Sequence, residues 1–220
     1  MDHRQPPDTP LQRAESSEST PGDPVEDASG GWNAVARQFI ARRSPVVGVS
    51  VVRNWAAAIP RGGSILDLGC GHGVPVSSAL AEGGLRVYGV DASQDLVQEF
   101  RRRLPGSEAR CESVEESTFF DRRFDAAISI GLMFLLPEQS QRQLIGRVSA
   151  AIRPGGAFLF SAPTQAVSWT DVMTGRQSRS LGKEAYEALL KGAGFDLAEE
   201  FFDEGENHYY SARKSGQPVA

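Results

Sequence analysis

One short segment constrains this chain more than any other. Ile65-Leu66-Asp67-Leu68-Gly69-Cys70-Gly71-His72-Gly73-Val74-Pro75 joins an apolar run to three alternating glycines and then to a proline. The run reads as a strand, and Pro75 is suited to the first turn of a helix. The glycines allow a tight backbone reversal and let a ligand lie against the main chain at a helix start. A second acid, Asp91, closes the next apolar run, Val87-Tyr88-Gly89-Val90. A carboxylate at that position can accept both hydroxyls of a ribose. The pair predicts a site for a nucleoside-type cofactor.

The rest of the chain repeats the same alternation. Strands are expected at Ile65–Leu68, Leu85–Val90, Ala109–Glu112, Phe124–Ile130, Ala157–Ser161, Phe195–Phe201 and His208–Lys214. Helices are expected at Pro75–Glu82, Gln94–Leu104, Glu138–Ile152 and Lys183–Ala193, with two short ones earlier around Val35–Ile40 and Val47–Ile59. Such alternation implies a doubly wound α/β fold: a mostly parallel seven-stranded sheet covered on both faces. Only Asp203–Asn207 separates the last two strands, so the final strand must run antiparallel.

Composition narrows the partners. Residues 1–30 hold seven acids, two bases and five prolines, with few apolar side chains. That stretch is expected to be a disordered tail ahead of a domain at 31–220, a solvated extension or an interaction segment. The tail carries the chain's whole net charge of -5, leaving 21 bases against 21 acids in the rest. A neutral body argues against a nucleic-acid reader. No apolar run approaches the roughly 18 residues of a membrane span, and the first residues lack the apolar core of a signal peptide. Cys70 and Cys111 form neither a disulfide framework nor a metal-ligand pattern. These features are those expected of a soluble cytoplasmic protein; they leave the oligomeric state open.

The identity of the cofactor follows from the loop. A nicotinamide or flavin site would show G-x-G-x-x-G, but the sixth position here is Val74, and Asp67 would repel a pyrophosphate. A ligand without phosphates and with positive charge near the loop fits better, and S-adenosylmethionine has both properties. At this point the chain resembles the class I S-adenosylmethionine-dependent methyltransferases over about residues 32–214. The resemblance rests on LDLGCGHG, Asp91, the Phe124–Ser129 strand and the helix-RPGG-strand unit Ile152–Phe160. More locally, SIGLMFLLP, Trp169–Leu181 and DEGENHYY are similar to bacterial small-molecule methyltransferases.

The resemblance implies roles for particular residues. Asp67, Gly69, Cys70 and Gly71 would hold the methionine end, Asp91 the ribose, and Ala92 the adenine face. Ser113 or the Val114 backbone would take the adenine amino group, where family members often place an acid. Gly131 and Leu132 would lie near the transferring methyl. The Asp/Asn-Pro-Pro-Tyr motif of nucleic-acid amino methyltransferases is replaced by Gly131-Leu132-Met133-Phe134, and Gly131 offers no ligand where catechol-type enzymes bind a metal. No metal is therefore expected, and the acceptor is expected to be a small metabolite or natural product methylated on O, N or S. The alternatives are a methyltransferase acting on a macromolecule and a non-catalytic cofactor-binding module.

Acceptor contacts must come from segments overhanging the carboxyl edge of the sheet. Pro163–Leu181 is long enough for a lid and carries Trp169, Asp171, Met173 and Arg176. Trp32, Met133, Phe134 and Trp169 are the candidate acceptor-binding residues. The Asp203–Asn207 loop is expected to bring Glu204, Glu206 and Asn207 to the same face. His208 is the candidate general base, because an imidazole titrates near neutrality.

Overall fold

The computed structural model describes residues 27–216. Five parallel strands, β1 (Ser64–Leu68), β2 (Arg86–Asp91), β3 (Glu108–Cys111), β4 (Phe124–Ser129) and β5 (Ile152–Ser161), form most of one sheet. Two more strands of this sheet are Phe195–Phe202 and His208–Lys214. Between β5 and these lies a separate two-stranded hairpin, β6 (Ala166–Thr170) with β7 (Gln177–Leu181). In chain order the last two sheet strands are thus β8 and β9. The sheet order is β3-β2-β1-β4-β5-β9-β8, with β9 antiparallel to both neighbours. This is the expected seven-stranded, doubly wound arrangement.

Two apolar layers explain why the sheet is covered on both sides. Side chains alternate along each strand, so Ile65 and Asp67 point to one face of β1 while Leu66 and Leu68 point to the other. The first face packs on α2 (Val49–Ala56), α3 (Val76–Glu82) and α4 (Gln94–Arg103) through Val52, Trp55, Leu80 and Phe100. The second packs on α5 (Glu138–Ala151) and α6 (Lys183–Gly192) through Leu144, Ile145, Val148, Tyr186 and Leu190. Each such buried side chain contributes about 1.5–3 kcal/mol of hydrophobic stabilisation. A further helix, α1 (Trp32–Arg42), lies ahead of this core.

Two local departures from the sequence reading have clear causes. Helix α5 ends at Ala151, and Ile152 already pairs with Phe124 of β4. The next pair is Ala126 with Ala157, so Arg153-Pro154-Gly155-Gly156 loops out. Pro154 has no N–H for the ladder and Gly155 adopts φ +76°. Arg153 then reaches Asp125, at 2.7 Å, while the other Asp125 oxygen accepts from the N–H and hydroxyl of Ser64. Asp125 thus ties the amino ends of β1, β4 and β5 together.

The second departure is the boundary of the amino-terminal segment. Positions 1–26 of the expected tail lie outside the described residues. Residues 27–30, assigned to the tail by composition, belong to the fold. The Asp27 carboxylate accepts from the N–H and hydroxyl of Ser29 and from the Gly31 N–H, and the Ser29 hydroxyl accepts from the Asn33 N–H. These bonds satisfy donors at the start of α1 that would otherwise lack partners.

Candidate functional site

The sheet order reverses between β1 and β4, which opens a crevice at their carboxyl ends. A cavity of about 1340 Å³ occupies it. The floor is the loop after β1. Gly69 and Gly73 sit at φ +71° and +85°, and a Cβ at Gly73 would lie 2.7 Å from Leu104. At Gly69 it would lie 2.9 Å from Leu132, so the first and third glycines have steric reasons as well as conformational ones. Cys70 fills the space over Gly89, and its small size is what the neighbouring strand allows.

Two acids flank the loop. Asp67 is 2% exposed and accepts the Ser77 hydroxyl at 2.5 Å. Burial, reinforced by the nearby Asp91 charge, pushes its pKa up to about 7 despite the Ser77 hydrogen bond and the Arg43 charge. Asp91 accepts the N–H of Gly71 and of Ser93, each at 2.9 Å, and burial raises its pKa as well. Two buried acids beside a glycine loop favour a ligand with positive charge and hydroxyl donors. The His72 side chain lines the same cavity edge-on to Phe39, and burial holds its pKa down to about 4. His72 Nδ1 is buried with no hydrogen-bond partner among the described residues.

The walls continue the list of expected residues. Ala92, Ser113, Val114 and Gly131 all line the cavity together with Asp67, Gly69, Cys70, Gly71 and Asp91. Gly131 donates its N–H to the Ser161 hydroxyl at the end of β5. Past Gly131 the lining includes the apolar chamber residues Leu132, Phe134, Leu135 and Leu136, together with Trp32. Its outer rim comes from the hairpin, through Ser168, Asp171, Thr174, Arg176 and Arg179. Asp27–Gly30 meet that rim from the amino-terminal side, with Gly30 and Gly31 against Arg176 and Thr174.

Three expected residues do not line the cavity. Met133 is fully buried in the α5/α6 layer, because the 3-10 turn Met133–Leu135 points it inward and leaves Phe134 toward the chamber. Trp169 packs on Phe134, ring centroids 5.3 Å apart, and its neighbour Ser168 lines the cavity instead. His208, 6% exposed, lies between Phe202 and Tyr210, with Nε2 paired to Glu200 Oε1 at 3.0 Å. The register of β9 turns it to the α6 side of the sheet, so it is not placed to act as a general base on a ligand in the cavity. The loop between β8 and β9 is corrected too. It docks on the turn before α2, where Glu204 accepts the Gly48 N–H, and none of its residues lines the cavity.

Other wall residues, Arg176 of the lid stretch apart, had no role in the sequence reading. Arg43, one turn after Phe39, faces the glycine loop, and Asp27, Arg176 and Arg179 ring the mouth. The i, i+4 spacing of Phe39 and Arg43 was the available signal. Among the described residues, no group of three His, Cys, Asp or Glu is arranged to hold a metal ion, and no helix is long and apolar enough to cross a membrane.

A doubly wound sheet, a glycine loop at its switch point and an acid ending the second strand define a nucleoside-cofactor-binding domain of the methyltransferase type. Comparison with known proteins makes this specific. Residues 65–156 match the family model for the methyltransferase domain. Over 105 residues the chain is 32% identical to the ubiquinone biosynthesis O-methyltransferase of Coxiella burnetii, covering 46% of this chain and 44% of that protein. It is 39% identical over 101 residues to a cypemycin N-terminal methyltransferase from Streptomyces, covering 44% and 40% of the two chains. The matches thus span less than half the length of these relatives. The fold is that of the Burkholderia thailandensis 1,6-didemethyltoxoflavin-N1-methyltransferase, solved with S-adenosylhomocysteine, with TM-score 0.67 and 19% identity over 90% of this chain and 93% of that one. The magnesium protoporphyrin IX methyltransferase of Synechocystis PCC 6803 superposes with TM-score 0.65 and 19% identity, covering 89% and 100%. Residues 65–156 thus match a methyltransferase domain, and the whole described chain has the fold of solved methyltransferases.

Proposed function

We propose that the protein transfers a methyl group from S-adenosylmethionine to O, N or S of a small molecule. The observation that carries this reading is the single cavity that joins the two acids of the glycine loop to the apolar chamber past Gly131. The donor set fits the cofactor: Asp67 suits the ammonium and sulfonium end, Asp91 the ribose hydroxyls, and Ala92, Ser113 and Val114 the base. The relatives named above methylate different acceptors, so they support the cofactor more than the acceptor.

When bound, the cofactor supplies a methyl on a positively charged sulfur, which leaves as a neutral thioether. The protein's own contribution is alignment and exclusion of water. Leu132, Phe134, Leu135 and Leu136 form an apolar wall that positions a flat or aliphatic acceptor. The hairpin rim and Asp27–Gly30 cover the chamber mouth. Glu115, Glu116, Glu138 and Asp171 also line the cavity, so carboxylates are at hand to take a proton from an acceptor that carries one.

The test uses the purified chain, radiolabelled S-adenosylmethionine and a metabolite extract, with small molecules separated from protein and nucleic acid. Label entering a small molecule, with a mass gain of one methyl, is the expected result. Label found only in macromolecules, or no transfer despite cofactor binding, would refute the small-molecule reading.

A further inference from the structure

We propose that Gln141 is a positioning residue for the acceptor: its buried amide ties the β6–β7 hairpin to the Leu132–Leu136 wall and so fixes the shape of the acceptor chamber. The inference rests on the reading that the acceptor binds in that chamber, and it names the group that holds the chamber in form.

The helix pattern sets Gln141 apart. Gln141, Leu144, Ile145 and Val148 recur at the spacing of one face of α5, and all four are buried. The other three are apolar and belong to the core under the sheet. An amide in such a row costs stability unless its polar atoms find partners. Those of Gln141 do. Its Nε2 donates to the carbonyls of Leu136 and Arg179, each at 2.9 Å, and its Oε1 accepts the Tyr186 hydroxyl at 2.7 Å. The Tyr186 oxygen, itself buried on α6, accepts the Leu181 N–H at 3.2 Å.

This network joins two stretches of the cavity lining. Leu136 follows the 3-10 turn Met133–Leu135, Arg179 stands in the middle of β7, and both line the cavity. One nitrogen bonded to both carbonyls keeps the two backbones within a few ångström of each other. Arg179 pairs with Ser168 across the hairpin, and Ser168 lines the cavity too. The position of the Gln141 amide is thereby passed on to both strands.

The hairpin has little else to hold it in place. A two-stranded hairpin is marginal on its own in water. The buried residues of β7 are Ser178 and Ser180, which bring almost no apolar area, and β6 contributes Trp169, half-buried against Phe134. The Arg179–Glu138 ion pair, at 3.3 Å, is solvent-exposed and contributes little. A hydrogen-bonded amide in the core is the stronger tie, because breaking it leaves buried carbonyls without a donor. Gln141 touches neither cofactor nor acceptor and acts through Leu136 and Arg179.

The experiment follows label transfer from S-adenosylmethionine in serial dilutions of the metabolite extract, for wild type, Gln141→Leu and Tyr186→Phe. Leucine matches the apolar row and removes the tie. The half-saturating extract concentration should rise roughly fivefold or more in Gln141→Leu and less in Tyr186→Phe. The maximal rate should stay within about threefold, and S-adenosylhomocysteine affinity by calorimetry within about twofold. Hydrogen exchange on the ligand-free full chain gives a second readout. Amides of β6 and β7 should exchange roughly tenfold faster in Gln141→Leu, with β1, β4 and β5 unchanged. Unchanged half-saturation, or unchanged hairpin exchange, would overturn the assignment. Faster exchange throughout the sheet together with lost cofactor affinity would show a general role in folding and refute it as well. If Gln141→Leu does not fold, Tyr186→Phe decides, and unchanged half-saturation in that variant overturns the tie. A wild-type chain that binds S-adenosylhomocysteine but labels no small molecule would instead remove the acceptor reading, and this inference with it.

Discussion

The raised pKa of Asp67 makes cofactor affinity depend on pH in a calculable way. Burial and the neighbouring Asp91 charge place this carboxyl at about 7. In the ligand-free chain it is therefore protonated below that pH and ionised above it. The ligand's ammonium and sulfonium favour the carboxylate, so binding at lower pH must expel a proton. For a group titrating at about 7, the ionised fraction rises from roughly 0.03 at pH 5.5 to roughly 0.5 at pH 7. Affinity should then increase roughly fifteenfold over that window, about 1.6 kcal/mol. The ligand's own α-amino group titrates near 7.7–8.0 and stays charged throughout. His72, held to about 4, is neutral throughout. Calorimetry with S-adenosylmethionine in two buffers of different ionisation enthalpy measures both the slope and the released proton, close to one per ligand at pH 6. Asp67→Asn should bind more weakly and flatten the profile. A flat wild-type profile between pH 5.5 and 7, or an unchanged slope in Asp67→Asn, would refute the reasoning.

Other outcomes follow from packing. Gly73→Ala should lower stability by about 1–3 kcal/mol in a denaturant titration, because its Cβ meets Leu104 at 2.7 Å in a left-handed backbone. His208→Ala should lower the melting temperature through a cavity between Phe202 and Tyr210, and leave turnover per folded molecule within twofold. Deleting residues 1–26 should leave the α1 cap intact, whereas deleting 1–31 removes Asp27 and Ser29. Only the longer deletion should raise the acceptor KM, since Asp27–Gly30 line the chamber mouth.

What the sequence disclosed and what it hid divide along a physical line. The β1–loop–α3 unit and Asp91 were legible because strand period, positive-φ glycines and the strand-end acid are all local signals. The antiparallel β9 followed from loop length alone. The hairpin of β6 and β7 was read only as a lid-length stretch. Its strands are mostly polar on both faces, so nothing in Ala166–Leu181 marks a buried side. His208 was misplaced because residue type cannot say which face of β9 looks toward the cavity; the pairing with β5 and the cover by α6 decide that. Asp27–Gly30 were lost to a composition window that averaged a local cap with its polar surroundings. Arg43 needed the course of α1 across the loop, which only tertiary structure provides.

The central claim is that the cavity between β1 and β4 binds S-adenosylmethionine through Asp91 and the glycine loop. Its most direct test is a calorimetric titration of the full chain with S-adenosylhomocysteine and, separately, with NAD. The account predicts one-to-one binding of S-adenosylhomocysteine, no binding of NAD, and a loss of about 1.5–3 kcal/mol in Asp91→Ala with the fold retained. Tight NAD binding, or S-adenosylhomocysteine affinity unchanged in Asp91→Ala, would contradict it.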